Sequence, residues 1–278
     1  MINIQSGMLV ILVTLPFFTQ SMKNYQVAHY RREVGELVKN TPDFSHLASS
    51  SPLLFLVEDK EDQELLELIT CMLKNKANPN VTQEVTGWTP LHNAAQQNNV
   101  HTILLLLKAG ANPNSKCTMV ANTPLHTAVE QGSSETVHAL LCFGANPNEK
   151  NKKENTSLHT ALKQDQLIFS LRQSRKKIVQ LLLKYGADPL VYNIDKDTPL
   201  TIVRKEYVRA LKDAQKWQIN NMIGLVHSCE TEAQDYKEIA RLLIARVGLY
   251  TKQGRIAHQG LAQVLPTEIA YYLASYLY

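Results

Sequence analysis

The sequence predicts an all-α fold: a solenoid of stacked helix-turn-helix units with short β-turn fingers, closed by helical caps. Three observations predict it. A motif recurs every 33 to 34 residues, apolar residues fall at helical spacing between its copies, and proline and glycine punctuate each copy at fixed places. Self-similarity at such a period marks a repeat architecture. One unit cannot bury its own apolar face, so neighbouring units must bury it together.

Three copies are plain. Thr89-Pro90-Leu91-His92-Asn93-Ala94 leads to Ala109-Gly110-Ala111-Asn112-Pro113-Asn114. Thr123-Pro124-Leu125-His126-Thr127-Ala128 leads to Phe143-Gly144-Ala145-Asn146-Pro147-Asn148, and Thr156-Ser157-Leu158-His159-Thr160-Ala161 leads to Tyr185-Gly186-Ala187-Asp188-Pro189. Weaker copies flank them. Ser51-Pro52-Leu53 runs to Lys76-Ala77-Asn78-Pro79-Asn80 with Leu54 in the histidine place, and Thr198-Pro199-Leu200 has Thr201 there.

Each element has a physical reason. Proline in the first helical turn gives up an amide that would be orphaned anyway, and the preceding threonine is a natural N-cap. Ile103, Leu104, Leu106 and Leu107 recur as Val137, Leu140 and Leu141, and as Ile178, Val179, Leu181 and Leu182. That spacing turns one face of a second helix inward. Gly110, Gly144 and Gly186 supply the left-handed residue that ends it.

The period and the TPLHxA opening resemble the ankyrin repeat. About five copies cover residues 51–248, most plainly 89–189, between an N-terminal segment 1–50 and a helical cap 249–278. The resemblance implies protein binding on a concave surface, with histidines 92, 126 and 159 hydrogen-bonding within and between repeats. In the family the partner-facing positions lie on the finger beside TPLH and at the end of the first helix. In this chain they are Val85, Thr86, Trp88, Gln96 and Gln97, then Met119, Val120, Asn122, Glu130 and Gln131, then Lys152, Lys153, Asn155, Lys163 and Gln164. Trp88 reads either as an apolar anchor for the partner or as a ring folded back on its own finger.

Composition excludes several classes. A hydrophobic fraction of 44% with 19% charged residues is that of a soluble globular protein. A net charge of +4 and a pI of about 8.7 come from scattered lysines, so nucleic acid is not expected as a partner. Cys71, Cys117, Cys142 and Cys229 form no CxxC pair, so neither a zinc motif nor a redox motif is written, and a reducing, cytoplasmic setting is expected. No nucleophile elbow, phosphate-cradling loop or HExxH occurs, so no enzyme, cofactor or small-molecule substrate is expected, and the chain is expected to be a monomer.

Departures from the pattern carry further expectations. The finger glycine is kept only at Gly87; Ala121, Glu154 and Lys196 stand in its place, so those tips are expected to depart from family geometry. The third copy carries about nine extra residues near 166–174, inside a stretch with Arg172, Arg175, Lys176 and Lys177. It reads either as a helix extension with a solvated basic face or as a contact for an acidic partner or phospholipid. The last copy carries an insertion near 204–235, read as a prolonged first helix and then a second short one, before the copy's own second helix at Tyr236–Val247.

The termini stay open. Met8–Phe18 is an apolar run without preceding positive charge, and it reads as a signal or anchor, as a packed segment, or as an artefact of a start at Met22. A helix is expected near Tyr25–Lys39. The tail Leu265-Pro266-Thr267-Glu268-Ile269, continuing to Leu273, is similar to the opening helix of an F-box and to the F-box-like tail of poxviral ankyrin proteins. That resemblance implies a Skp-type adaptor of cullin ubiquitin ligases as a partner; an amphipathic cap shows the same spacing. The general similarity is to ankyrin effectors that intracellular bacteria deliver into host cells.

Overall fold

A computed structural model describes residues 53–54, 63–163, 169–219 and 223–252. The expected apolar run 8–18, the helix near 25–39 and the tail residues Leu265, Pro266, Glu268, Ile269 and Leu273 lie outside them. Among the described residues the regular structure is helical, without strands, and no helix is long and apolar enough to cross a membrane. The chain divides into two units, Met1–Met119 and Val120–Tyr278.

The first unit contains α1 (Gln63–Lys74), α2 (Pro90–Gln96) and α3 (Val100–Lys108). Thr89 stands at the N-cap of α2 in extended backbone, and Pro90 comes next in the first turn. Asn99 caps α3 by accepting from the Thr102 amide at 2.9 Å. α3 packs against both α1 and α2, so Ile69, Met72, Leu91, Ile103 and Leu106 become fully buried. Removing that apolar surface from water is what holds such short helices, which would be marginal alone. Asn80 joins successive loops: its amide donates to the Gly110 carbonyl at 3.0 Å and its oxygen accepts from the Asn112 amide at 2.7 Å.

The second unit contains α4 (Pro124–Glu130), α5 (Ser134–Cys142), α6 (Ser157–Leu162), α7 (Phe169–Lys184), α8 (Pro199–Ile219) and α9 (Ile223–Lys252). First helices pack in the order α4, α6, α8, and second helices in the order α5, α7, α9. Leu125, Val137, Leu140, Leu158, Ile178 and Leu182 fill the space between them. Asn148 repeats the role of Asn80, donating to Gly186 at 2.9 Å and accepting from the Asp188 amide at 2.8 Å.

Both insertions of the second unit lengthen helices. The third copy's extra residues prolong its second helix: α7 has 16 residues where α3 and α5 have 9. The last copy prolongs α8 to 21 residues, as expected. The segment after α8 departs from the expected separate short helix, because α9 runs unbroken for 30 residues. No proline occurs from 223 to 252 to stop it.

The basic stretch corrects the reading at Arg175. Arg175 is buried, and its Nη1 donates to the Tyr236 hydroxyl at 2.6 Å while the guanidinium lies 5.1 Å from the ring centre. Lys176 pairs with Glu238, and Lys177 with Glu135 at 3.6 Å. Lys177 and Glu135 stay exposed on the solvated face, whereas Arg175 and Lys176 tie α7 to α9. Only the path of α9 creates that environment, and a local spacing rule cannot see it.

Candidate protein-binding surface

The fingers are built from residues that hold the backbone in one conformation. Gly87 has φ of 67°, and a Cβ there would lie 2.8 Å from the Thr118 amide nitrogen, so only glycine fits. Ala121, Glu154 and Lys196 adopt the same left-handed conformation, with φ of 55°, 54° and 58°. The expected departure of these tips is therefore not seen. The conformation is retained at a steric cost, because hydrogen bonds to a neighbouring finger hold it.

Those holds are backbone hydrogen bonds between successive fingers. In the first unit the Thr118 amide donates to the Thr86 carbonyl at 2.9 Å. In the second, Lys152 donates to Val120 at 2.9 Å and Ile194 to Lys153 at 3.2 Å. Side-chain amides add a parallel row: Asn151 donates to Asn122 at 2.9 Å, and Asn193 donates to the buried Asn155 at 2.9 Å.

The three histidines are structural. The Thr123 amide donates to His126 Nδ1 at 3.2 Å, and Thr156 does the same to His159 at 3.2 Å. With Nδ1 accepting, Nε2 carries the proton, donating to the Asn155 carbonyl from His126 and to the Asp197 carbonyl from His159, each at 3.1 Å. Each ring thus closes its own helix start and holds the next finger. His92 makes the same local contact, accepting from the Thr89 amide at 3.2 Å. Where Thr201 replaces histidine, its hydroxyl accepts from the Thr198 amide at 2.8 Å and keeps the cap.

With the fingers fixed, their tips are open. Val85 is 76% exposed and Met119 64% in the first unit; Val120 is 48% and Ile194 62% in the second. Lys152 and Lys153 are exposed beside Val120, while Lys163 pairs with Asp195 at 3.2 Å. Gln97 is exposed and Gln96 half-buried at the end of α2. Trp88 is half-buried, its ring 5.8 Å from the His92 ring, so it leans on its own helix start and presents only part of its surface. Asn122 and Glu130 serve each other, the amide donating to the carboxylate at 3.0 Å. Burial pushes the Glu130 carboxyl up from its ordinary range, and that hydrogen bond opposes the shift.

Ile194 and Tyr192 were not among the sequence candidates. The fourth finger occupies the same register as Val85 and Met119, but its TPL copy lacks the histidine that marks the pattern. Aligning back from Thr198 would have found it. Among the described residues no cluster of three or more His, Cys, Asp or Glu side chains is placed to hold a metal ion.

The family profile for ankyrin repeats (3 copies) matches residues 53–151 and 118–193, together just over half of the chain. The chain belongs to the ankyrin-repeat family, whose repeats are protein-interaction modules. No curated protein shows a significant match to it.

Proposed function

We propose that the chain is a binding scaffold that grips a partner protein with its finger tips and the ends of its first helices. The observation that carries this is where large apolar side chains remain in water. Of the eight that are exposed among the described residues, five (Val85, Met119, Val120, Tyr192 and Ile194) sit on fingers. A core residue left outside is common singly; a concentration on one structural element marks an interaction surface. The fingers need none of these side chains for their own hydrogen bonds, which are made by backbone and asparagine amides.

The partner presses apolar side chains on the tips and sets acidic groups near Lys152 and Lys153. Affinity capture with the full chain identifies it. Val120→Ser with Ile194→Ser then weakens binding by about 2 kcal/mol or more, the hot-spot scale. Lys152→Ala with Lys153→Ala mainly slows association and reduces its salt dependence. Unchanged affinity in both variants contradicts the proposal. Capture from host-cell extract also tests whether the scaffold serves as a delivered effector.

A second reading adds a mechanism: substrate adaptor for a cullin-type ubiquitin ligase. It is favoured by the sequence of the tail, Leu265-Pro266-Thr267-Glu268-Ile269 continuing to Leu273, in which a proline is followed by apolar residues at the spacing that a helix would need. Pulldown with a Skp adaptor tests it. Capture by the wild type, lost in Leu265→Asp and Ile269→Asp, supports the adaptor, and no capture by the wild type removes it.

A further inference from the structure

α1 and α3 lie side by side in the first unit, and an open groove of about 540 Å³ runs along them. Its floor is apolar: Cys71 of α1 and Leu104 and Leu105 of α3 are each half-buried there. Leu104 departs from its counterparts. Six residues before the glycine that follows each second helix, α3 has Leu104 where α5 has His138 and α7 has Gln180, both exposed. Where this position meets water in the second unit it is polar; in the first unit it is not.

Charge divides the groove along its length. At one end stand Lys74 and Lys108, in the last turns of α1 and α3, exposed and with no ion pair among the described residues. At the other end stand Glu67 and His101, one on each helix. An occupant therefore needs an apolar stripe, acidic groups at the lysine end and a basic group at the Glu67 end.

Residues 25–39 of this chain, which lie outside the described residues, carry that pattern in their sequence. Val27, Tyr30, Val34 and Leu37 recur at the spacing of one helical stripe, and Arg31 and Arg32 precede Glu33 and Glu36. As a helix the stripe would be about 15 Å long, enough to cover the roughly 10 Å from Glu67 to Lys74 along α1. The apolar run 8–18 does not fit, because it has no charged residue to meet either end. The tether is long enough. The Leu54 carbonyl accepts from the Asn93 amide group at 3.0 Å, and residues 40–52 before it can span on the order of 40 Å, several helix widths.

We propose that residues 25–39 dock in the groove as an amphipathic helix running in the direction of α1. Its apolar stripe covers Cys71, Leu104 and Leu105, its arginines face Glu67, and Glu33 and Glu36 face Lys74 and Lys108. A short flexible tether gives an effective concentration of about millimolar, so a modest contact suffices. The docked helix leaves the fingers free, and its failure leaves the proposal made for them untouched.

Cys71 reports the contact. Alkylation of the full chain with N-ethylmaleimide, resolved cysteine by cysteine in peptide mass spectra, should be slow at Cys71 and fast at the exposed Cys142. Val34→Asp with Leu37→Asp should speed alkylation of Cys71 at least about tenfold and leave Cys142 unchanged, because local opening exposes one thiol alone. Glu33→Lys with Glu36→Lys should expose Cys71 as well, and adding Lys74→Glu and Lys108→Glu should restore its protection. That rescue separates docking from a general loss of structure. Unchanged alkylation of Cys71 in the Val34→Asp, Leu37→Asp variant would overturn the proposal, and so would charge variants without rescue. Protection that disappears on dilution would overturn it too, by giving the groove to a second copy of the chain.

Discussion

At the scale of residues, the third copy is the one whose start is chemically incomplete. Ser157 replaces the proline of its siblings, and its hydroxyl is buried without a hydrogen-bond partner among the described residues. Thr156 already has the extended backbone that a following proline requires, with ψ of 169°. Ser157→Pro should therefore stabilise the chain by about 1 kcal/mol, through a stiffer unfolded state and a lost unpaired hydroxyl. A denaturant midpoint that falls would show that the helix start does not accept proline. The same cap ties stability to pH. Burial holds the His159 pKa below its ordinary value of about 6.5, so folding favours the neutral ring. Its contribution is complete above about pH 6.5 and declines below it, because the unfolded chain takes up the proton first. Protonation would also turn Nδ1 from acceptor to donor against the Thr156 amide. Unfolding free energy should drop between about pH 7.5 and pH 5.5, with a smaller drop in His159→Gln. Equal slopes would remove this histidine from the account.

At the scale of elements, the repeat was legible because each copy states its own helix starts and stops. Threonine, proline, histidine and glycine each answer a local question, and the structure places them as the pattern requires. What was not legible depends on a distant element. Whether Arg175 faces water is decided by α9, some 60 residues later; the apolar spacing of Tyr236–Val247 marks a helix there but does not say which residues of α7 it covers. The finger tips at Ala121, Glu154 and Lys196 are the converse case. Local propensity argued against a left-handed residue, and hydrogen bonds from neighbouring fingers overrode it. Burial pushes the Tyr236 hydroxyl up from its ordinary range, opposed by the charge of Arg175, and Lys176 holds the Glu238 carboxyl down. Tyr236→Phe keeps the ring under the guanidinium but removes the acceptor of its 2.6 Å bond. It should cost about 1–3 kcal/mol, the penalty for depriving a buried charged donor of a partner. A loss under about 0.3 kcal/mol in denaturant unfolding would mean that the α7–α9 contact is held by packing alone.

At the scale of the whole molecule, stability is a sum over repeats and their interfaces, so a lesion in one repeat is felt by its neighbours. Leu140 is fully buried between second helices, and Leu140→Ala should cost about 2–5 kcal/mol. A loss below about 0.5 kcal/mol would mean the register of the repeats is wrong. The candidate surface was legible only in part. Val85, Met119, Val120, Lys152 and Lys153 came from the motif, Ile194 was passed over although its copy and the finger position Lys196 were recognised, and Trp88 proved half-buried. A sequence states which residues occupy a finger, but the side of the finger on which a ring settles is set by packing. The central claim is that the fingers carry the contact with a partner. Hydrogen exchange of the full chain, with and without its captured partner, tests it most directly. The account predicts added protection at finger residues 83–88, 118–122, 151–155 and 192–197, with the outer faces of α3, α5 and α7 unchanged. Protection confined to those outer helices, with the fingers exchanging as before, would contradict it.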